Sequence, residues 1–257
     1  AFVAINGSNE LLFGITKFES NAEIQTGEFK VVGALTEQEK IKGLKYSGSA
    51  TIYYGTPTLL KLLVGLNLDY EGSIRVEEMP VVKEMLPKVR EKIGYVFQDS
   101  DSQLFMSTVF EDVAFAPRNY GLPEEEVEKR VNHALKQIHI EHLRDKQIYK
   151  MSGGEKKMAS IATILAMTPD IILMDEPSIA LDPRNRRSLI HILNDFEHLK
   201  IIASHDLDMI LETCSRVILM SGGCIVCDGD AKEILTNQEL LEENGLELPF
   251  CLQKPVW

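Results

Sequence analysis

The sequence predicts an α/β protein: a parallel sheet with a helical lobe inserted into it. Three observations predict this. Ile171-Ile172-Leu173-Met174, Ile201-Ile202-Ala203-Ser204 and Val217-Ile218-Leu219-Met220 are short apolar runs, the pattern of strands covered on both faces. Between the first two lies an amphipathic stretch, Asn185 to Phe196, with Leu189, Ile192, Leu193 and Phe196 on one helical face. Strand, helix and strand at this spacing form a βαβ unit, whose strands run parallel. From about Ser100 to Tyr149 no buried-strand run occurs, so a helical lobe is expected there.

The remaining elements follow in chain order. Residues 1–49 carry β-branched and aromatic residues that suggest strands, but their register is not legible. Leu59 to Leu66 is an apolar helical run after Gly55-Thr56-Pro57. Gly94 to Phe97 is a strand before a polar loop, and Pro123 to His142 is a charged helix with Pro123 suited to its first turn. Ser152-Gly153-Gly154-Glu155 opens an apolar helix, Ala159 to Ala166. Beyond Leu235 the chain is a short tail, acidic as far as Glu247.

A chain of 257 residues fits one large domain, or one domain with a smaller lobe. Its formal net charge of −12 argues against a nucleic-acid partner, because phosphate contact needs a basic face. The longest apolar stretch, Ile161 to Met174, is broken by Pro169-Asp170 and is too short to span a bilayer. The N-terminus lacks the basic region and apolar core of a secretory signal, so a cytoplasmic location is expected. Cys224 and Cys227 make a lone C-x-x-C with no second ligand pair, which reads as small buried apolar residues rather than a metal site.

Several short segments carry chemistry. Asp175-Glu176 ends the Ile171–Met174 strand, placing two carboxylates at the carboxyl end of a parallel sheet, where ligands bind. The first acid can hold Mg²⁺ and the second can polarise an attacking water; alone, Asp-Glu-Pro reads equally well as a helix-capping turn. His205, in Ser204-His205-Asp206, ends the next strand and can reach a γ-phosphate, although a lone loop histidine is more often structural. The small residues of Ser152–Glu155 let backbone N–H groups approach a phosphate, or serve simply as a helix N-cap. Gln98 follows a strand and opens the loop into the helical lobe, where it can sense metal or water or be an ordinary polar loop residue.

In combination these segments decide the reading. Gln98, Met151–Glu155, Ile171–Pro177, Ala180-Leu181-Asp182-Pro183 and Ser204–Asp206 occur in a fixed order. The chain resembles ABC-type ATPases, with Q-loop, signature, Walker B, D-loop and switch histidine, from about Thr58 to Leu235. Gln98-Asp99-Ser100-Asp101-Ser102-Gln103-Leu104-Phe105, followed by Thr108 to Phe115, is similar to the ATPases of energy-coupling factor and cobalt-type importers. The resemblance implies a RecA-like parallel-sheet core, an N-terminal antiparallel β subdomain and an inserted helical subdomain at about 100–150. It places an ATPase domain over 1–235 and a tail over 236–257.

The resemblance also implies roles. Asp175 and Gln98 would attend Mg²⁺, Glu176 would be the catalytic base, and His205 and Gln98 would position the γ-phosphate and water. Ser152, Gly153, Gly154 and Glu155 would contact ATP on a second ATPase subunit, with Asp182 at the dimer seam. A transmembrane component would dock beside the Gln98 loop, holding the protein at the cytoplasmic face of the membrane. The work powered would be import, of cobalt or nickel ions or a vitamin. The alternatives are a non-hydrolysing partner in an asymmetric pair and a soluble ABC protein without a transporter.

One family motif departs from its pattern. The phosphate loop G-x-x-G-x-G-K-[ST]-[ST] aligns with Ala50-Thr51-Ile52-Tyr53-Tyr54-Gly55-Thr56-Pro57-Thr58, where only Gly55 and Thr58 match. Thr56 replaces the phosphate-binding lysine, Pro57 the Mg²⁺-holding hydroxyl, and Tyr53 and Tyr54 would obstruct the backbone nest. Either the subunit has retired its own site, or the recorded N-terminal sequence departs from the encoded one. Glu176 and His205, which a retired site does not need, favour the second. The adenine-stacking aromatic is not assigned; Phe18 and Phe29 are both candidates.

Overall fold

The computed structural model describes residues 2–6, 13–15, 56–68, 74–221 and 224–253. In chain order the first elements are β1 (Phe2–Asn6), β2 (Phe13–Ile15), α1 (Thr56–Leu63), β3 (Ile74–Val76), β4 (Met79–Pro80), α2 (Leu86–Lys92) and β5 (Ile93–Val96). Then come α3 (Val109–Asn119), α4 (Glu124–Gln137), α5 (Gly153–Leu165), β6 (Ile171–Asp175), α6 (Pro183–Asp195), β7 (Leu199–Ser204) and α7 (Leu207–Thr213). The last are β8 (Arg216–Ser221), β9 (Cys224–Asp230), α8 (Ala231–Leu235) and α9 (Gln238–Glu243), with short 3₁₀ turns between elements.

The larger sheet has the order β5-β6-β7-β1-β8-β9, and β2-β3-β4 form a smaller antiparallel sheet. The expectation of a parallel sheet holds for β5, β6 and β7. β8 also runs in their direction, since β1 lies antiparallel to both β7 and β8; the expectation fails for β1 and β9, which run the other way. A βαβ spacing specifies only the strands it joins. The Val217–Met220 run therefore does not reveal that an antiparallel β1 separates it from β7.

Burial explains the continuous apolar runs. In β6, Ile171 and Leu173 join one core with Leu60, Leu62, Val76 and Val89, while Ile172 and Met174 join another with Val113, Ile161 and Leu189. Successive side chains point to opposite faces, so a strand with helices on both sides has no polar position. Gly94 lets α5 lie against β5. A Cβ there would sit 2.1 Å from Ile164 Cγ2 and 3.2 Å from Pro169 Cγ.

The Pro123–His142 segment is not one helix. α4 ends at Gln137, His139 takes φ 59°, and Glu141–Leu143 forms a separate 3₁₀ turn. The reversal drives Ile138 and Ile140 into the core, and that burial wins over the helix propensity of the flanking charged residues. Pro123 is the N-cap rather than the first helical residue, and three glutamates follow it, where the helix dipole favours negative charge.

Candidate active site

Three neighbouring parallel strands bring the predicted site residues together at their carboxyl ends. Asp175 closes β6 opposite Ala203 of β7, and the Glu176 N–H donates to the Ala203 carbonyl at 2.8 Å. Glu176 takes φ 45°, a left-handed conformation costly for a residue with a Cβ, and so turns sharply off the strand end. Its carboxylate accepts from the Ser204 hydroxyl at 2.9 Å and from the His205 N–H at 3.3 Å, and His205 Nε2 lies 3.5 Å from the other oxygen. The Glu176 side chain is only 13% exposed, whereas His205 is 68% exposed, so the histidine is free to reach outward while the acid is held.

Asp175 is buried, and among the described residues its Oδ1 has no hydrogen-bond partner. Its other oxygen accepts from the Tyr95 hydroxyl at 3.5 Å. Burial, with Glu176 beside it, raises the Asp175 pKa above the usual carboxylate range. Burial likewise pushes the Tyr95 phenol well up, aided by the adjacent Asp175 charge. An orphaned carboxylate oxygen next to a second acid is a donor set that suits a hard divalent cation.

Gln98 lies just past β5, which pairs with β6, and its side chain is exposed. Its carbonyl accepts from the buried Lys157 Nζ at 2.6 Å, and the same ammonium donates to the Phe97 carbonyl at 2.9 Å. Burial lowers the Lys157 pKa, and the charges of Asp175, Asp99 and Glu176 pull it back up.

Ser152–Glu155 forms a separate feature at the start of α5. Ser152 is the N-cap in a reciprocal capping box: its hydroxyl accepts from the Glu155 N–H at 3.3 Å, and Glu155 accepts from the Ser152 N–H at 2.8 Å. Glu155 is also paired with Lys146 at 2.8 Å; that hydrogen bond and the one from the Ser152 N–H hold its carboxyl below the ordinary range. The N-cap reading is thus realised. The N–H groups of Gly153 and Gly154, in the first helical turn, have no intrahelical acceptor and are available to a phosphate. A Cβ on Gly154 would approach the Ala180 carbonyl at 3.2 Å, so the loop lies against the segment leading to Asp182. Asp182 caps α6, accepting from the Asn185 N–H at 2.8 Å.

The phosphate-loop segment Ala50–Gly55, with Phe18 and Phe29, lies outside the described residues, and Thr58 falls within α1. Cys227 lies in β9, and burial raises its thiol pKa, opposite to what a metal-bound thiolate needs. Among the described residues, no helix is long and apolar enough to cross a membrane. Ser204 lies inside a motif, but nothing in the sequence marks its hydroxyl as the partner of Glu176. Nor is Lys157 marked, because two adjacent lysines give no sign of which faces inward.

The parallel strands with carboxylates at their ends define an α/β protein of the nucleotide-binding class. The profile of the ABC transporter family matches residues 54–179. An ABC transporter ATP-binding protein of Geobacter sulfurreducens is 50% identical over 77% of this chain and 80% of its own. The energy-coupling factor transporter ATP-binding protein EcfA of Carboxydothermus hydrogenoformans is 40% identical over 85% of this chain and 80% of its own. Among solved structures, cbiO1 of Clostridium perfringens, part of the ABC transporter complex cbiONQ, superposes with a TM-score of 0.64 at 35% identity. It covers 75% of this chain and 80% of its own. The ATP-binding cassette MJ0796, a dimer bound to ADP and phosphate, superposes with a TM-score of 0.62 at 26% identity, over 69% of this chain and 81% of its own. The chain belongs to the ATP-binding subunits of ABC transporters, in which ATP hydrolysis is coupled to transport.

Proposed function

We propose that this subunit powers import across a membrane, of cobalt or nickel ions or a vitamin, by closing and reopening on ATP with a second ATPase subunit. The likeness to EcfA and to cbiO1 supports import. The observation that carries hydrolysis is the Glu176 carboxylate, held by Ser204 and the His205 N–H at the end of β6. In this reading Glu176 takes the proton of the attacking water, and His205 reaches the γ-phosphate. Asp175 and Gln98 would hold Mg²⁺, which when bound offsets negative charge on the phosphates. Gly153 and Gly154 would offer their N–H groups to ATP on the partner subunit, with Asp182 at the seam between them. A transmembrane component would dock near the Gln98 loop, placing the subunit peripherally at the cytoplasmic face.

Glu176→Gln tests this. Hydrolysis should fall at least about 100-fold, while ATP-dependent dimers accumulate on gel filtration. Dimers that fail to form with ATP would sink the proposal. Thr56-Pro57 in the phosphate-loop position supports a second reading, a non-hydrolysing partner in an asymmetric pair. That reading expects the purified chain neither to bind nor to hydrolyse ATP alone, and intact-mass measurement checks whether Thr56-Pro57 is encoded.

A further inference from the structure

Lys157 is fully buried near the site, with 1% of its surface exposed. It lies five residues beyond Ser152 on α5, about 7.5 Å of helical rise from the loop that opens the helix. Its ammonium reaches back to the end of β5 and donates to two successive carbonyls, Phe97 at 2.9 Å and Gln98 at 2.6 Å. The same loop is tied to α5 elsewhere. Lys156 pairs with Asp101 at 2.5 Å. Gln103 accepts from the Phe97 N–H at 3.0 Å and donates to the Ser160 carbonyl at 2.8 Å and to Thr163 Oγ1 at 2.9 Å. Residues 97–103 are therefore fastened to α5 along some two turns, and among the described residues Lys157 is the one that grips Gln98 itself.

We infer that Lys157 is a positioning residue that latches Gln98 to α5, so that the Ser152–Glu155 loop and Gln98 move as one body. The inference rests on the roles proposed above for Gln98 and for Ser152–Glu155. Contact of the loop with ATP on the partner would then be felt at Gln98, in the subunit's own site, through one rigid helix. A purely structural role has a different signature. Lys157→Met leaves the Phe97 and Gln98 carbonyls without their donor, which costs stability whatever the role of the lysine. With a purely structural role, Lys157→Met should lower Tm and reduce activity only in proportion to the folded protein lost. A latch instead requires the two hydrogen bonds, and their loss frees Gln98 without emptying the core.

The test compares the full chain with Lys157→Met and Lys157→Gln, the second retaining a donor. ATP affinity, steady-state hydrolysis, thermal unfolding and hydrogen–deuterium exchange of residues 97–103 and 152–160 are measured with and without ATP. The latch expects Lys157→Met to keep ATP affinity within about two-fold and to lose at least about ten-fold in kcat, with Lys157→Gln between the two. It also expects the two segments to gain protection together on ATP addition in the wild type and separately in Lys157→Met. Unchanged kcat in Lys157→Met overturns it, as does a fall in kcat matched by loss of folded protein. If Lys157→Met does not fold, Lys157→Gln and the wild-type exchange decide by the same criteria. A wild type that never hydrolyses ATP, yet protects both segments together, defeats the proposed role of Glu176 and leaves the latch standing. A wild type that hydrolyses ATP while the segments respond independently defeats the latch alone.

Discussion

The Ser204 hydroxyl donates to Glu176 Oε2 at 2.9 Å and is itself the acceptor for the Asp206 N–H at 3.1 Å. One short side chain thus orients the acid at the end of β6 and fixes the turn that follows β7. Removing it frees the carboxylate to rotate while leaving the nucleotide contacts in place. Ser204→Ala should lower kcat about ten-fold with KM nearly unchanged, and Ser204→Thr should restore most of the loss. Steady-state kinetics on the three proteins check this; a change confined to KM would contradict it.

Asp175 differs, since its buried Oδ1 has no partner among the described residues and burial disfavours its charge. Asp175→Asn should raise the stability of the nucleotide-free protein by about 1–2 kcal/mol, or a few degrees in Tm. The same substitution should abolish the further rise that Mg²⁺ with ATP produces in the wild type. Differential scanning fluorimetry with and without Mg²⁺ and ATP reads both effects.

Arg186 of α6 grips Asp206 through two hydrogen bonds of 2.7 Å, tying the helix capped by Asp182 to the turn that carries His205. Burial by itself would raise the Asp206 pKa, but the hydrogen bonds from Arg186 and the Met209 N–H outweigh it and the value is lowered. A lowered folded pKa means stability that is fully present above the unfolded value, about 3.9, and lost as pH falls through the folded value. Arg186→Leu should therefore cost about 2 kcal/mol at pH 7, and its deficit relative to wild type should shrink below about pH 4. Urea unfolding midpoints across that range test the sign.

Gly94 tests the packing of α5 on the sheet. A larger side chain would drive into Ile164 and Pro169, so Gly94→Val should destabilise by about 1–3 kcal/mol through overpacking. Because β5 leads directly to Gln98, hydrolysis should fall as well. Tm and activity measured together would show whether the two losses track each other.

The site was legible in the sequence where its residues are local. Asp175-Glu176, His205 and Ser152–Glu155 each sit within a few residues of the strand or helix end that presents them, and apolar runs mark those ends. Partners distant along the chain were not legible. Nothing in the sequence pairs Arg186 with Asp206, or Asp208 with the backbone N–H groups of Phe250 and Cys251 at 3.0 and 2.9 Å.

By itself the sequence determined the α/β class, the order of the motifs and the covered strands, because burial on two faces writes itself into a strand as an unbroken apolar run. Tertiary structure alone decided three things: that β1 lies antiparallel between β7 and β8, that the chain reverses at His139, and that Lys157 rather than Lys156 is buried beneath the Gln98 loop. Strand direction and lysine burial depend on what packs from elsewhere in the chain. Periodicity reports which face of an element is covered, never what covers it.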